Sequence, residues 1–169
     1  MNTRDMHNMT PFEYSINDDR FDFFKIFLKY IDKSSINLPN QHGASPVMQA
    51  VSKCSYTALK MVELLLKKGA DINAKTSRYK GYTAVHVAAA RRRWKILKFL
   101  MKHGDKYKLK MTKRNSNSIL LIACKQKSPW DVIELLRTKG ADMNVQDTDG
   151  NTPLHITMIN GNLKVAKNV

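Results

Sequence analysis

The sequence predicts an all-α chain assembled from repeated helix–turn–helix units, and three observations predict it. Short apolar helices open on a Thr or Ser at Thr10, Ser45, Thr83, Ser118 and Thr152, at spacings of 35, 38, 35 and 34 residues. A second landmark follows two of them, Gly69-Ala70-Asp71-Ile72-Asn73 and Gly140-Ala141-Asp142-Met143-Asn144, with His103-Gly104-Asp105 a degraded copy between. Apolar residues then recur at helical spacing, as in Leu59, Val62, Leu65 and Leu66, and in Ile96, Leu97 and Leu100. A period of this length marks a repeat architecture, in which no unit buries its apolar face alone and neighbours must stack.

Each element has a local cause. Thr or Ser caps the first helix of a unit through its side-chain oxygen. Pro11, Pro46 and Pro153 follow, where a fixed φ suits the first turn and no N–H is lost. Ala88 and Ala89 are small enough to let first helices approach closely. Second helices carry an apolar stripe. Gly69 and Gly140 are expected to end such helices, and Gly43, Gly81 and Gly150 to turn the hairpin that precedes a first helix.

Asp147-Thr148-Asp149-Gly150-Asn151-Thr152-Pro153-Leu154-His155 and Thr83-Ala84-Val85-His86-Val87-Ala88-Ala89 resemble the ankyrin repeat, whose pattern runs D-x-x-G-x-T-P-L-H-x-A-A, an apolar helix, then G-A-D-x-N. The resemblance covers nearly the whole chain. It implies an all-α ankyrin-repeat solenoid of about four and a half repeats with β-hairpin fingers, in one domain, 1–169. The repeats fall at about 5–39, 40–77, 78–112, 113–146 and 147–169, the last one incomplete.

The departures from the pattern are local. Three extra residues lie around Lys53-Cys54-Ser55-Tyr56, and one near Lys127-Ser128-Pro129. The fourth unit lacks Pro and His in its opening. The third has Arg91-Arg92-Arg93 where the family usually turns with Gly-His. At the far end, Leu163 and Val165 are expected to be partly exposed.

Composition narrows the function. With 169 residues and 43% hydrophobic content the chain has enough apolar material for a core. No apolar run reaches the roughly 18 residues a membrane span needs, and the start has no apolar stretch of the secretory type. Cys54 and Cys124 each read as a buried free thiol inside a helix, which fits a reducing, intracellular location, cytoplasm or nucleus. The net charge of +15 is concentrated: residues 75–114 hold fourteen Lys or Arg against the single acid Asp105. Such a field attracts acidic surfaces, nucleic acid or anionic lipid.

The chemistry-bearing residues do not converge. His86 and His155 fall on the helix-opening His of the family, where the ring usually bonds backbone. His7, His42 and His103 stand apart, and no His or Cys pair has metal-ligand spacing. Phosphate loops and nucleophile elbows are missing. Asp18-Asp19 and Asp147 with Asp149 read as solvated turns. Trp94 and Trp130, at the starts of second helices, read as packing residues, with base stacking the sharper alternative. Neither enzyme activity, metal nor cofactor is expected.

In the family, partners meet the fingertips and the exposed side of the first helices. Carried over by position, the fingertips are Gln41, His42 and Ala44; Tyr79, Lys80 and Tyr82; Asn115 and Asn117; and Thr148, Asp149 and Asn151. The first helices add Ser52 and Lys53, Ala90 and Arg91 beside Arg92, Lys125 and Gln126, and Ile159 and Asn160. Tyr and Arg in the third unit are of the types enriched at hot spots. The segment 106–114 reads as a basic finger, a nuclear localisation signal or a solvating linker.

Within the family the chain is similar to short IκB-like viral ankyrin proteins of the polydnavirus vankyrin type. That resemblance implies a non-enzymatic inhibitor that sequesters a host Rel/NF-κB-type factor by occlusion. The alternative is a basic ankyrin scaffold or effector binding another host protein, nucleic acid or an anionic ligand through 75–114.

Overall fold

The computed structural model describes residues 3–32, 35–76, 81–107, 109 and 113–167. They form ten α-helices and two short 3₁₀ turns, Ser35–Asn37 and Asp105–Tyr107, and no strand is found among the described residues. The chain divides into two compact units, Met1–Val87 and Ala88–Val169.

The first unit holds α1 (Pro11–Asn17) paired with α2 (Phe21–Tyr30), and α3 (Pro46–Ser52) paired with α4 (Ala58–Lys67). First helix packs on first helix, α1 on α3, and second on second, α2 on α4. Ile16, Phe24, Met61, Val62 and Leu65 are fully buried between them. Each such side chain contributes roughly 1.5–3 kcal/mol by leaving water.

The boundary runs through α5 (Ala84–Ala90). The second unit continues with α6 (Trp94–Lys102), α7 (Lys113–Lys125), α8 (Trp130–Thr138), α9 (Pro153–Ile159) and α10 (Leu163–Ala166). Here α7 pairs with α8 and α9 with α10, while α7 packs on α9 and α6 and α10 pack on α8. Leu97, Leu100, Ile119, Leu120, Ile133 and Leu136 make its core.

The helix openings follow the sequence. Thr10 and Glu13 form a reciprocal cap, with the Glu13 amide donating to Thr10 Oγ1 at 3.2 Å and the Thr10 amide to Glu13 Oε2 at 2.7 Å. Ser45 accepts from the Met48 amide. Gly69 and Gly140 stand just past α4 and α8 at φ of +100° and +86°.

Four expectations need correction. Cys54 is exposed, because the three extra residues place it in the α3–α4 loop rather than in a helix. Val165 is only 1% exposed, since α10 folds back on α8 and α9, whereas Leu163 is 66% exposed. Among the described residues the fingers at 5–9, 40–44 and 147–151 are turns, each closed by two backbone bonds, rather than strand hairpins. In the fourth unit Asn115 and Asn117 lie inside α7 instead of a fingertip. No proline fixes the start of that helix and no glycine turns the chain before it, so the helix runs upstream from Ser118 to Lys113.

Candidate functional site

Three fingers share one construction. At 5–9, 40–44 and 147–151 the first residue's amide donates to the carbonyl four residues on, at 3.0 Å in each case. Its side-chain oxygen (Asp5, Asn40 or Asp147 Oδ1) then accepts the amides two and four residues on, at 2.9–3.0 Å. The fourth position needs a left-handed backbone. Gly43 and Gly150 supply it at φ of +74° and +79°, and Asn8, the residue that tolerates it best after glycine, supplies it at +57°. The finger at 5–9 was not among the sequence candidates. Asp5 three residues before Asn8 was its signal, obscured because no glycine stands there.

These turns hold their tips outward. Gln41 and His42 are exposed on the finger at 40–44, and Thr148 and Asp149 on that at 147–151, with Asn151 half-buried below. Asp147 is not a solvated carboxylate. Its side chain is only 6% exposed, and Oδ2 pairs with Lys125 Nζ at 2.8 Å. Lys125 first, then the Asn151 and Asp149 amides, lower its pKa to about 2. Lys125 is therefore committed to holding a finger.

Asp19 likewise accepts from the Thr57 hydroxyl. Lys53 donates to the Asn17 carbonyl, tying the second repeat to the first. Asn160 does the same from its own repeat, its Nδ2 donating to the Cys124 carbonyl at 3.2 Å. Two predicted surface residues thus turn out to fix the stacking register.

In the third repeat the Thr76 amide donates to the Tyr82 carbonyl at 2.8 Å, closing the base of a finger. Tyr79 and Lys80 lie outside the described residues. Tyr82 is half-buried and stacks on the His86 ring, with centroids 5.1 Å apart. His86 Nδ1 meets the Thr83 amide at 3.3 Å and the Thr83 hydroxyl at 2.9 Å, so the ring acts as the reciprocal half of a cap. Burial lowers its pKa to about 4, which keeps Nδ1 a neutral acceptor. His155 and Thr152 repeat the arrangement. Cys124 is buried, and burial pushes its thiol up to about 12, outside the reactive range.

Arg91 and Arg92 are exposed on the turn between α5 and α6, and Gln126 is half-buried after α7. The same turn in the next repeat presents Lys127, which sequence reasoning passed over. Arg92 and Lys127 both hold the left-handed backbone, φ +57° and +54°, that Gly161 takes at the matching place in the last repeat. Lys127, Pro129, Trp130, Asn160 and Lys164 line an open pocket at this edge, and Trp130 is half-buried in it. Aligning Lys127 with Arg92 by the repeat period would have found it. Among the described residues no three His, Cys, Asp or Glu side chains gather as a metal site. No helix there is long and apolar enough to cross a membrane.

A family model for ankyrin repeats (3 copies) matches the chain at residues 21–111, 59–147 and 120–168. The chain belongs to the ankyrin-repeat family. Ankyrin-repeat proteins are in general interaction modules and not enzymes. The E3 ubiquitin-protein ligase KEG of Arabidopsis thaliana is 27% identical over 72% of this chain but only 7% of its own length. The target of rapamycin complex 2 subunit AVO2 of Saccharomyces cerevisiae is 29% identical over 61% of the chain and 24% of its own length. The ANK repeat-containing protein nipk-1 of Caenorhabditis elegans is 29% identical over 73% of the chain and 22% of its own length. The chain thus spans at most about a quarter of the length of these relatives.

Proposed function

We propose that this ankyrin array sequesters a signalling protein by occlusion, in the IκB-like manner, with a host Rel/NF-κB-type factor as the first partner to test. The action belongs in the cytoplasm or nucleus, and in a host cell if the chain is of the viral vankyrin type. The observation that carries the reading is the set of preformed finger turns, each locked by an Asp or Asn, with tips exposed and little backbone ordering left to lose on binding. AVO2, by its name a subunit of a larger complex, supports a protein partner.

Charge sets the partner's character. Arg91, Arg92 and Lys127 are exposed on the turns of the second unit, which favours an acidic patch on the partner. A second reading rests on the pocket that Trp130 lines together with Lys127 and Lys164, a residue set suited to nucleic acid or another anionic ligand. One binding series separates them: immobilised chain offered a purified Rel-homology domain, and mixed RNA and DNA, at low and physiological salt. Retention of the Rel-homology domain at physiological salt supports the first reading, and its absence removes that partner. Nucleic-acid binding that collapses steeply with salt supports the second; none at low salt ends it.

A further inference from the structure

The stacking of α9 on α7 is tied at one edge by side-chain amides. Asn160 Nδ2 donates to the Cys124 carbonyl at 3.2 Å, with the Lys125 carbonyl 3.5 Å away, and Asn162 Nδ2 donates to the Ser128 carbonyl at 3.2 Å. Together they hold the turn after α9 against the end of α7 and the turn that follows it.

Asn160 precedes Gly161, and no other asparagine in the sequence precedes a glycine. The turn itself brings the two together. The place after the tie takes a left-handed backbone, φ +65° at Gly161. In other repeats Asp19, Arg92 and Lys127 hold that place, after Asp18, Arg91 and Gln126. Gln126 has an amide, but one carbon further out and facing a nitrogen shielded by the Lys127 side chain. Only at 160–161 does a short side-chain amide stand beside an unshielded nitrogen.

We propose that Asn160 is a site of spontaneous deamidation, and that the change releases the turn after α9 from α7. The reaction needs only water. The Gly161 nitrogen, its proton passed to solvent base, attacks Asn160 Cγ. The new C–N bond closes a succinimide, and the side-chain amide takes up a proton and leaves as ammonia. One water then opens the ring at either carbonyl, giving aspartate or isoaspartate.

The fold holds this reaction back. The Gly161 amide donates to the Met158 carbonyl at 3.0 Å, and Asn160 is helical, φ −80° and ψ −4°, which turns that nitrogen away from its own side chain. Ring closure therefore waits for a local opening of the turn. The product then opposes reclosure. A carboxylate cannot donate to the Cys124 carbonyl, and its charge is repelled there. Isoaspartate also lengthens the main chain by one carbon just before Asn162, whose amide donates to the Thr157 carbonyl at 2.9 Å. Asn160 lines the pocket that holds Lys127 and Lys164, so the new charge also offsets part of their field. A loss of anion capture from that offset rests on the second reading above; the loosened turn does not.

The test incubates the full chain for several weeks at neutral and at alkaline pH, with and without urea, and locates aspartate and isoaspartate by peptide mass spectrometry. Asn160 should convert ahead of every other asparagine, faster at alkaline pH and faster again in urea. Gly161→Ala adds a carbon with no atom within 4 Å, at a backbone angle that Arg92 and Lys127 already hold with side chains. It should slow the conversion severalfold while leaving the Asn160 tie in place. Asn160→Asp should lower the ratio of folded to unfolded chain on the order of tenfold in a urea titration. The aged wild type should drift toward the same midpoint, which gives the reading even if that variant does not fold. Drift of the midpoint supports the proposal whether or not the chain retains nucleic acid, since retention reports on the second reading alone. A folded chain whose Asn160 stays intact throughout the incubation overturns the proposal. So does an Asn160→Asp chain with the wild-type midpoint.

Discussion

At Thr83 and Thr152 the histidine three residues on accepts the threonine amide at its ring Nδ1, and this bond requires an unprotonated ring nitrogen. His86 is the buried member of the two, and its pKa falls from about 6.5 in the unfolded chain to about 4 in the fold. Between those values the unfolded chain binds a proton that the folded chain does not. Stability is thus complete above pH 6.5 and declines as the pH drops toward 4, by on the order of 2 kcal/mol at about pH 5. Urea midpoints at about pH 7.5 and 5 for the wild type and His86→Gln measure this. The variant should lose much less over the interval; equal losses in both would show that His86 is not the titrating group. Asp147 is legible in the same terms. Its place as first residue of the D-x-x-G motif is plain in the sequence, but its pairing with Lys125, twenty-two residues earlier, is not, because only stacking of α7 on α9 brings the two together.

Among the elements, the turns joining first to second helices carry the conflict between stability and charge. Gly161 takes its left-handed backbone freely, whereas Arg92 and Lys127 are held in the same region with a side chain attached. Strain of this kind persists where the residue serves something besides the fold. Arg92→Gly should raise unfolding stability by about 0.5–1 kcal/mol while weakening partner capture. A variant that gains stability and captures as well as the wild type would show that the arginine serves no partner. The elements themselves were readable wherever a cap, a proline and a glycine agree, as at Thr152, Pro153 and Gly150. They were misread where those signals lapse. The start of α7 was placed too late because nothing local marks it, and Cys54 was assigned to a helix because an insertion after α3 resembles its continuation. The register bonds from Lys53 and Asn160 join residues thirty-six apart, beyond the reach of any local pattern.

Over the whole molecule, charge divides as the structure does. Residues 1–87 hold twelve Lys or Arg and eight Asp or Glu, and residues 88–169 hold seventeen and six. Several of the second unit's acids are already engaged: Asp131 with Lys98, Glu134 with Arg137, and Asp147 with Lys125. The excess positive charge is carried by exposed residues such as Arg91, Arg92, Lys95, Lys102 and Lys127, where it can steer an acidic partner and hasten association at low salt. The central claim is that the exposed finger tips, with the basic turn of the third repeat, are the capture surface. The most direct measurement is affinity capture from cell extract at physiological salt, comparing the wild type with Arg91→Glu and with Lys60→Glu, a charge reversal of equal size on the exposed side of α4. Loss of the captured proteins with the first variant and their retention with the second is the expected result. Identical captured sets from all three chains would contradict the account.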